Sequence, residues 1–158
     1  MRVGVGYDSH RFAVGRPLVL GGVTIEHEQG LAGHSDADAI SHAVIDAVLG
    51  AAGMGDIGSH FPPADVRWKD ADSIELLRQA AEIVAGENYQ VVNVDVTIVT
   101  QTPRIAPHIP AMRDRLASAL GIAPTHVSVK GKTNEGMGWI GRGEGVAAIA
   151  VALVDAIE

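Results

Sequence analysis

Three stretches of the chain place apolar residues at every second position, and that period limits the possible folds more than any other feature. Val3, Val5 and Tyr7 alternate with Gly4, Gly6 and Asp8. Val92, Val94, Val96 and Ile98 alternate with Asn93, Asp95 and Thr97, and Val127 and Val129 alternate with Ser128 and Lys130. A repeat of two puts successive side chains on opposite faces, so each stretch predicts a strand with one packed face. In the first strand Val3, Val5 and Tyr7 form the expected packed face, while Asp8 and His10 share the other. Runs at 18–20 and 23–25, split by Gly21-Gly22, predict strand, bend and strand. The terminal run VAAIAVALVDAI reads as a buried strand, because Val and Ile are spread through it and the Gly-rich entry offers no helix start.

Helices are expected between these strands. Residues 35–49 are rich in Ala, Ile and Val without Gly or Pro, and Ser35 with Asp38 forms a weak capping box at their start. Asp38, His42 and Asp46 fall four residues apart, a single polar stripe on an otherwise apolar helix. Residues 50–70, dense in Gly and Pro, predict a long irregular loop of the kind that often carries function. Asp72 and Glu75 open a second helix to about Ala85, with Ile74, Leu77, Ala81 and Val84 on one side. Pro110 suits the first turn of a third, ending near Gly121. Strands and helices mix without strict alternation, which predicts an α+β fold in one domain over 1–158: a mixed sheet packed on one side by helices.

Charge narrows the partners. With 12 basic against 19 acidic side chains the net charge is -7, which opposes attraction to nucleic acid or an anionic membrane. A small phosphorylated ligand stays compatible, because helix termini and bound metal ions act locally. The chain has no cysteine, so a metal must be held by His, Asp or Glu. The N-terminal residues read as a strand and not as a leader, and no apolar run is long enough to span a bilayer. A cytoplasmic protein is the expectation.

Asp8-Ser9-His10 puts a carboxylate and an imidazole on the same side of an extended segment, within reach of one cation. His42, on an Ala-rich helix, needs polar partners, and Asp38 and Asp46 one turn away are the expected ones. Together Asp8, His10 and His42 form the two-imidazole, one-carboxylate set that leaves a fourth position open on tetrahedral zinc. Separately, each also fits a solvated strand end or a satisfied core histidine. His34 and Ser35 stand at the predicted helix start, where free N–H groups attract phosphate. Lys130, Lys132 and Thr133 precede Glu135, a carboxylate able to hold a second divalent ion.

Taken in order, DSH, GHSDADAISHAVIDAVLGAAGMGDIGSHFP, NVDVTIVTQTPRIAPHIPAMR and KTNEGMGWIGRGEG closely resemble the 2-C-methyl-D-erythritol 2,4-cyclodiphosphate synthase family of the non-mevalonate isoprenoid pathway. The similarity covers the whole chain. It implies a homotrimer with sites between subunits, and ring closure of a cytidine diphosphate substrate with loss of CMP. It assigns zinc to Asp8, His10 and His42, and a second divalent ion, magnesium or manganese, to Glu135. His34 and Thr133 match residues that support the transition state. Ser35 matches a phosphate contact, and Asp56, Gly58 and Phe61 match the loop around the methylerythritol unit. Thr100, Pro103, Arg104, Ala106 and Lys132 match the cytidine and phosphate pocket, while Trp139 and Arg142 lie near the site and the trimer axis. Two departures stand out. Pro63 occupies a position where many members carry an acidic residue, leaving Asp65 as the nearest carboxylate, and Trp139 and Tyr7 replace expected Phe.

Overall fold

The computed structural model describes residues 1–157. Five strands form a mixed sheet in the order β4-β1-β7-β5-β6. They are β1 (Arg2–Ala13), β4 (Gly30–Leu31), β5 (Tyr89–Val99), β6 (Val127–Lys132) and β7 (Gly145–Ala156); the strand-bend-strand pair is β2 (Leu18–Leu20) and β3 (Val23–Ile25). The terminal apolar run is the central strand β7, antiparallel to both β1 and β5, and β6 runs parallel to β5. A bulge between Val91 and Asn93 turns Val91 into the core in place of Val92.

Three long helices, α1 (Ala39–Ala52), α3 (Ser73–Gly86) and α4 (Ile109–Leu120), cover one face, as the pattern predicts. Two four-residue helices, α2 (Ile57–His60) and α5 (Gly138–Gly141), and three 3-10 turns at Val66–Trp68, Ala106–His108 and Pro124–His126 break up the loops. The covered face of β1 is not the expected one. Val3, Val5 and Tyr7 are exposed, at 68%, 68% and 56%, whereas Gly4 and Gly6 lie under α1. A Cβ added at Gly4 would stand 2.1 Å from the carbonyl oxygen of Ala47, and one at Gly6 1.9 Å from that of Ala43. The register sets Gly4 opposite Ala152, Gly6 opposite Ala150 and Asp8 opposite Ala148. Helix α1 therefore rests on a floor of small residues, with its own Ala43 and Ala47 turned to it.

The start of α1 also differs from the expectation. Asp38 caps it, not Ser35, and Ala37 just before it takes a positive φ of 59°. The Asp38 carboxylate accepts from the Ser41 N–H at 3.0 Å and the Ser41 hydroxyl at 2.7 Å. It also accepts from the N–H groups of Gly21 and Gly22 at 2.8 and 2.7 Å. Four donors, two from the β2–β3 bend, outweigh what Ser35 could offer as a cap. Asp72 does cap α3, accepting from Ile74 N–H, but Glu75 engages Arg78 and Gln79 instead of reaching back.

The small floor makes a specific demand. Gly6→Ala drives a methyl into the α1 backbone, so the chain is expected to lose about 1–3 kcal/mol by overpacking, read by urea denaturation. Native-like stability would mean that α1 can lift without cost.

Candidate metal centre and substrate pockets

The face of β1 that carries Gly4 and Gly6 continues into Asp8 and His10, and the first turn of α1 carries His42 over it. One ligand atom from each of Asp8, His10 and His42 lies within 4.8 Å of the others. Asp8 Oδ2 is 2.7 Å from His10 Nε2 and 3.1 Å from His42 Nδ1, and the two nitrogens are 3.2 Å apart. Each ring has its other nitrogen engaged. His10 Nδ1 donates to the Ala32 carbonyl at 2.7 Å. A carbonyl only accepts, so the proton sits on Nδ1 and the Nε2 lone pair faces Asp8. His42 Nε2 meets the hydroxyls of Ser73 and Ser35 at 2.8 and 3.0 Å. The expected partners of His42, Asp38 and Asp46, are elsewhere: Asp38 is the helix cap, and Asp46 accepts from Ile57 N–H at 2.7 Å.

Two imidazole nitrogens and a carboxylate oxygen are crowded together here, and with the His10 Nε2 lone pair turned to Asp8 these atoms repel one another unless a cation lies among them. The donor set fits a divalent metal, and a proton serves in its place. Burial alone would lower the His10 pKa, but the Asp8 hydrogen bond and charge outweigh it and hold it above 6.5. Burial would raise the Asp8 pKa, yet hydrogen bonds from His10 and His42 bring it from 3.8 down to about 2.

A pocket of about 180 Å³ opens beside these groups, lined also by His34, Ser35, Gly58 and Phe61. Asp56 caps α2 by accepting from Ser59, which shapes the loop that presents Gly58 and Phe61. His34 donates to the Asp65 carbonyl at 3.4 Å, in the turn before α1 and not at its first N–H groups. The Asp65 carboxylate is bound by Arg67 at 2.5 Å, and Pro63 stands on the pocket wall.

A second pocket, of about 460 Å³, forms at the C-terminal ends of the parallel pair β5 and β6. Thr100, Pro103, Arg104, Ala106, Lys132 and Thr133 all line it. Thr100 N–H donates to the Lys132 carbonyl at 2.9 Å, which joins the two strand ends. Arg104 and Lys132 concentrate positive charge in an acidic chain. The two pockets share no lining residue. Glu135 is exposed on a left-handed turn, φ 54°, beyond both. Trp139 lines a separate hollow with Ser9, His10, Arg11 and Glu144, and Arg142 pairs with Glu144 at 2.8 Å.

Four residues at the first pocket were not foreseen. Ser73 and Asp36 stand behind His42. Arg16 holds the carbonyls of Gly33 and Ser35. Trp68 packs edge-on to Phe61, with its buried indole N–H unpartnered among the described residues. Asp36 lies inside the GHSDAD run, a signal that could have drawn notice; Ser73 carried only its place after the capping Asp72.

A mixed sheet with helices on one face, a carboxylate–imidazole cluster whose donor set fits a divalent ion and a separate cationic pocket define an α+β protein with a candidate metal centre beside its pockets. The family model described as YgbB family matches residues 1–155. The 2-C-methyl-D-erythritol 2,4-cyclodiphosphate synthase of Symbiobacterium thermophilum is 56% identical over 154 residues, covering 98% of each chain. That of Bordetella avium is 58% identical over 153 residues, covering 97% of this chain and 94% of its own. A solved synthase of the same name, in a CDP-bound form, superposes with a TM-score of 0.89 at 37% identity, covering 98% of this chain and all of that one. The chain belongs to this family, the 2-C-methyl-D-erythritol 2,4-cyclodiphosphate synthases.

The pKa shifts set opposite pH dependences. In the metal-free protein a raised His10 pKa contributes stability below the ordinary imidazole value, lost as pH rises through the folded value. Asp8 contributes stability above 3.8 that is lost as pH falls toward about 2. A bound divalent ion must displace the His10 proton, so the stabilisation it adds grows as pH rises. Thermal melts from about pH 5 to 9, with and without added metal, check this. A metal increment largest at the acid end would contradict the ligand set.

Proposed function

We propose that the chain closes a cyclic diphosphate. The substrate is 4-diphosphocytidyl-2-C-methyl-D-erythritol 2-phosphate, whose 2-phosphate attacks the β-phosphorus of its own diphosphate. One P–O bond forms, the bond to the CMP oxygen breaks, and 2-C-methyl-D-erythritol 2,4-cyclodiphosphate and CMP leave. The observation that carries this reading is the convergence of Asp8, His10 and His42 beside a pocket, in a chain similar end to end to synthases of that name. The CDP-bound relative supports a cytidine nucleotide in the Thr100–Thr133 pocket.

Zinc suits the two-imidazole, one-carboxylate set, and a second divalent ion, magnesium or manganese, would be held with Glu135; when bound, these ions polarise phosphoryl oxygens and offset phosphate charge. Lys132 and Arg104 draw in the diphosphate and hold the nucleotide end. Ser35 and His34 donate to the phosphate beside the first pocket, and Thr133 donates at the leaving-group side. Gly58 and Phe61, on a loop shaped by Asp56, enclose the methylerythritol unit and fold it toward ring closure. Asp65 carries the backbone carbonyl that orients His34. The nucleophile is already an anion, so no side chain has to take a proton from it.

A homotrimer follows from the same reading. The two pockets lie apart on one chain, and the sheet face opposite the helices carries Val3, Val5, Tyr7, Ile149 and Val151 in register and exposed. Closed threefold packing of these faces buries them and lets one chain's nucleotide pocket meet its neighbour's metal centre, near Trp139 and Arg142. One domain over 1–158 then serves as the protomer. No helix among the described residues is long and apolar enough to cross a membrane. Cytoplasmic residence is part of the proposal.

Phosphorus NMR of the reaction should show a cyclic diphosphate and CMP; a linear phosphate would instead reveal a hydrolase. His42→Ala should slow CMP release by about 100-fold or more, the loss of several kcal/mol of charge stabilisation, with the circular dichroism spectrum retained. Undiminished turnover in metal-depleted buffer would overturn the metal's role. Sedimentation at micromolar concentration should give three chains, and Val5→Asp should yield monomers; a monomeric native chain would end the shared-site reading.

A further inference from the structure

Both ring nitrogens of His42 are engaged, and the one turned away from Asp8 opens onto a hydrogen-bonded chain that ends at Asp36. His42 Nε2 lies 2.8 Å from the Ser73 hydroxyl oxygen. That hydroxyl donates to Asp36 Oδ1, and the Ser73 backbone N–H donates to Asp36 Oδ2 at 2.9 Å. Asp38 N–H adds a further bond to Asp36 Oδ1 at 3.1 Å. A hydroxyl has one proton, and an ionised carboxylate can only accept. With its proton given to Asp36, the Ser73 oxygen must accept from His42. This places the imidazole proton on Nε2 and leaves the lone pair on Nδ1, the nitrogen 3.1 Å from Asp8 Oδ2.

Ser73 is fully buried, so water does not reach the bond as a substitute. Ser35 Oγ, 3.0 Å from the same nitrogen, is a second acceptor, but no carboxylate stands behind it to hold its hydroxyl proton away from His42. Ser73 is also the first residue of α3, whose N-terminal turn is thereby tied to the floor of the first pocket.

We propose that Ser73 and Asp36 are positioning residues of the cation centre. They hold His42 in the Nε2–H tautomer, aim its ring at Asp8 and His10, and raise the basicity of the ligating Nδ1. The proposal rests on reading Asp8, His10 and His42 as cation ligands, and places no contact between Ser73 or Asp36 and the substrate. Outer partners of this kind change metal affinity by about 10–100-fold when removed.

The test is zinc affinity by chelator competition without substrate, together with nitrogen-15 shifts of the His42 ring, on the native chain, Ser73→Ala, Asp36→Asn and His42→Ala. Expected are about 10–100-fold weaker zinc binding by Ser73→Ala and Asp36→Asn, with His42 in mixed tautomers in their metal-free forms, and a larger loss for His42→Ala. Should Ser73→Ala fail to fold by circular dichroism, Asp36→Asn, which keeps the side-chain shape, decides the matter. Native-like zinc affinity and a single Nε2–H tautomer in the folded variants would overturn the proposal while leaving the cation centre standing. Zinc binding by His42→Ala equal to that of the native chain would sink both readings.

Discussion

The contact on which the rest of the structure depends is the close approach of α1 to β1 at Gly4 and Gly6. No side chain separates the two backbones there, and the opposing residues on β7 are alanines, so the helix settles onto the sheet as deeply as backbone atoms allow. That depth lets a histidine in the first helical turn touch a carboxylate and an imidazole two and four residues further along the strand. A larger residue at either glycine would raise the helix and separate the three ligand atoms. Packing and chemistry here answer to one constraint, which is why the smallest residues of the chain lie next to its most reactive group.

The electrostatics of the centre follow from what stands behind each ring. His10 is turned by the Ala32 carbonyl and His42 by Ser73 and Ser35, so both present an unprotonated nitrogen to Asp8. The fold thus assembles three acceptors that only a cation reconciles. In its absence the repulsion is relieved by a proton, and that is the physical content of a raised His10 and a depressed Asp8 pKa. The stability of the metal-free protein and its readiness to bind metal are therefore set by the same few atoms, with opposite dependence on pH.

Most elements were legible because their signals are local. The period of two located β1, β5 and β6, the spread of Val and Ile located β7, and Pro110 and Gly121 bounded α4. The errors arose where a distant part of the chain decides. Alternation in β1 gave the period but not the packed side, because glycines pack well only when a helix of matching small residues lies on them. Ser35 lost the capping role to Asp38 because Gly21 and Gly22, far away in sequence, supply two of the four donors. The residue types of the triad were legible, and the residues that the long motifs matched to the nucleotide pocket line one hollow together. The partners of His42 were not legible: one carboxylate stripe on a helix favoured Asp38 and Asp46, whereas the ring turns toward α3, whose docking no local pattern records.

The commitment of both histidines bears on the chemistry proposed. Once a cation is bound, a ring whose two nitrogens are occupied, one by a fixed acceptor and one facing the cation site, has no proton-transfer capacity left over. His10 and His42 are both of this kind. A reaction that depended on general-base activation of water or a hydroxyl would require some other group in the pocket, and His34, exposed and held by a 3.4 Å bond to the Asp65 carbonyl, is the remaining imidazole there among the described residues. Attack by a phosphate that is already ionised removes that requirement. It asks of the pocket what the pocket has: rigid charge on one side, donors from Ser35 and His34 on the other, and a wall of Gly58 and Phe61 to fold the substrate between them. The same rigidity that disqualifies the two histidines as bases suits them to hold a cation at a fixed point while two anions are brought together.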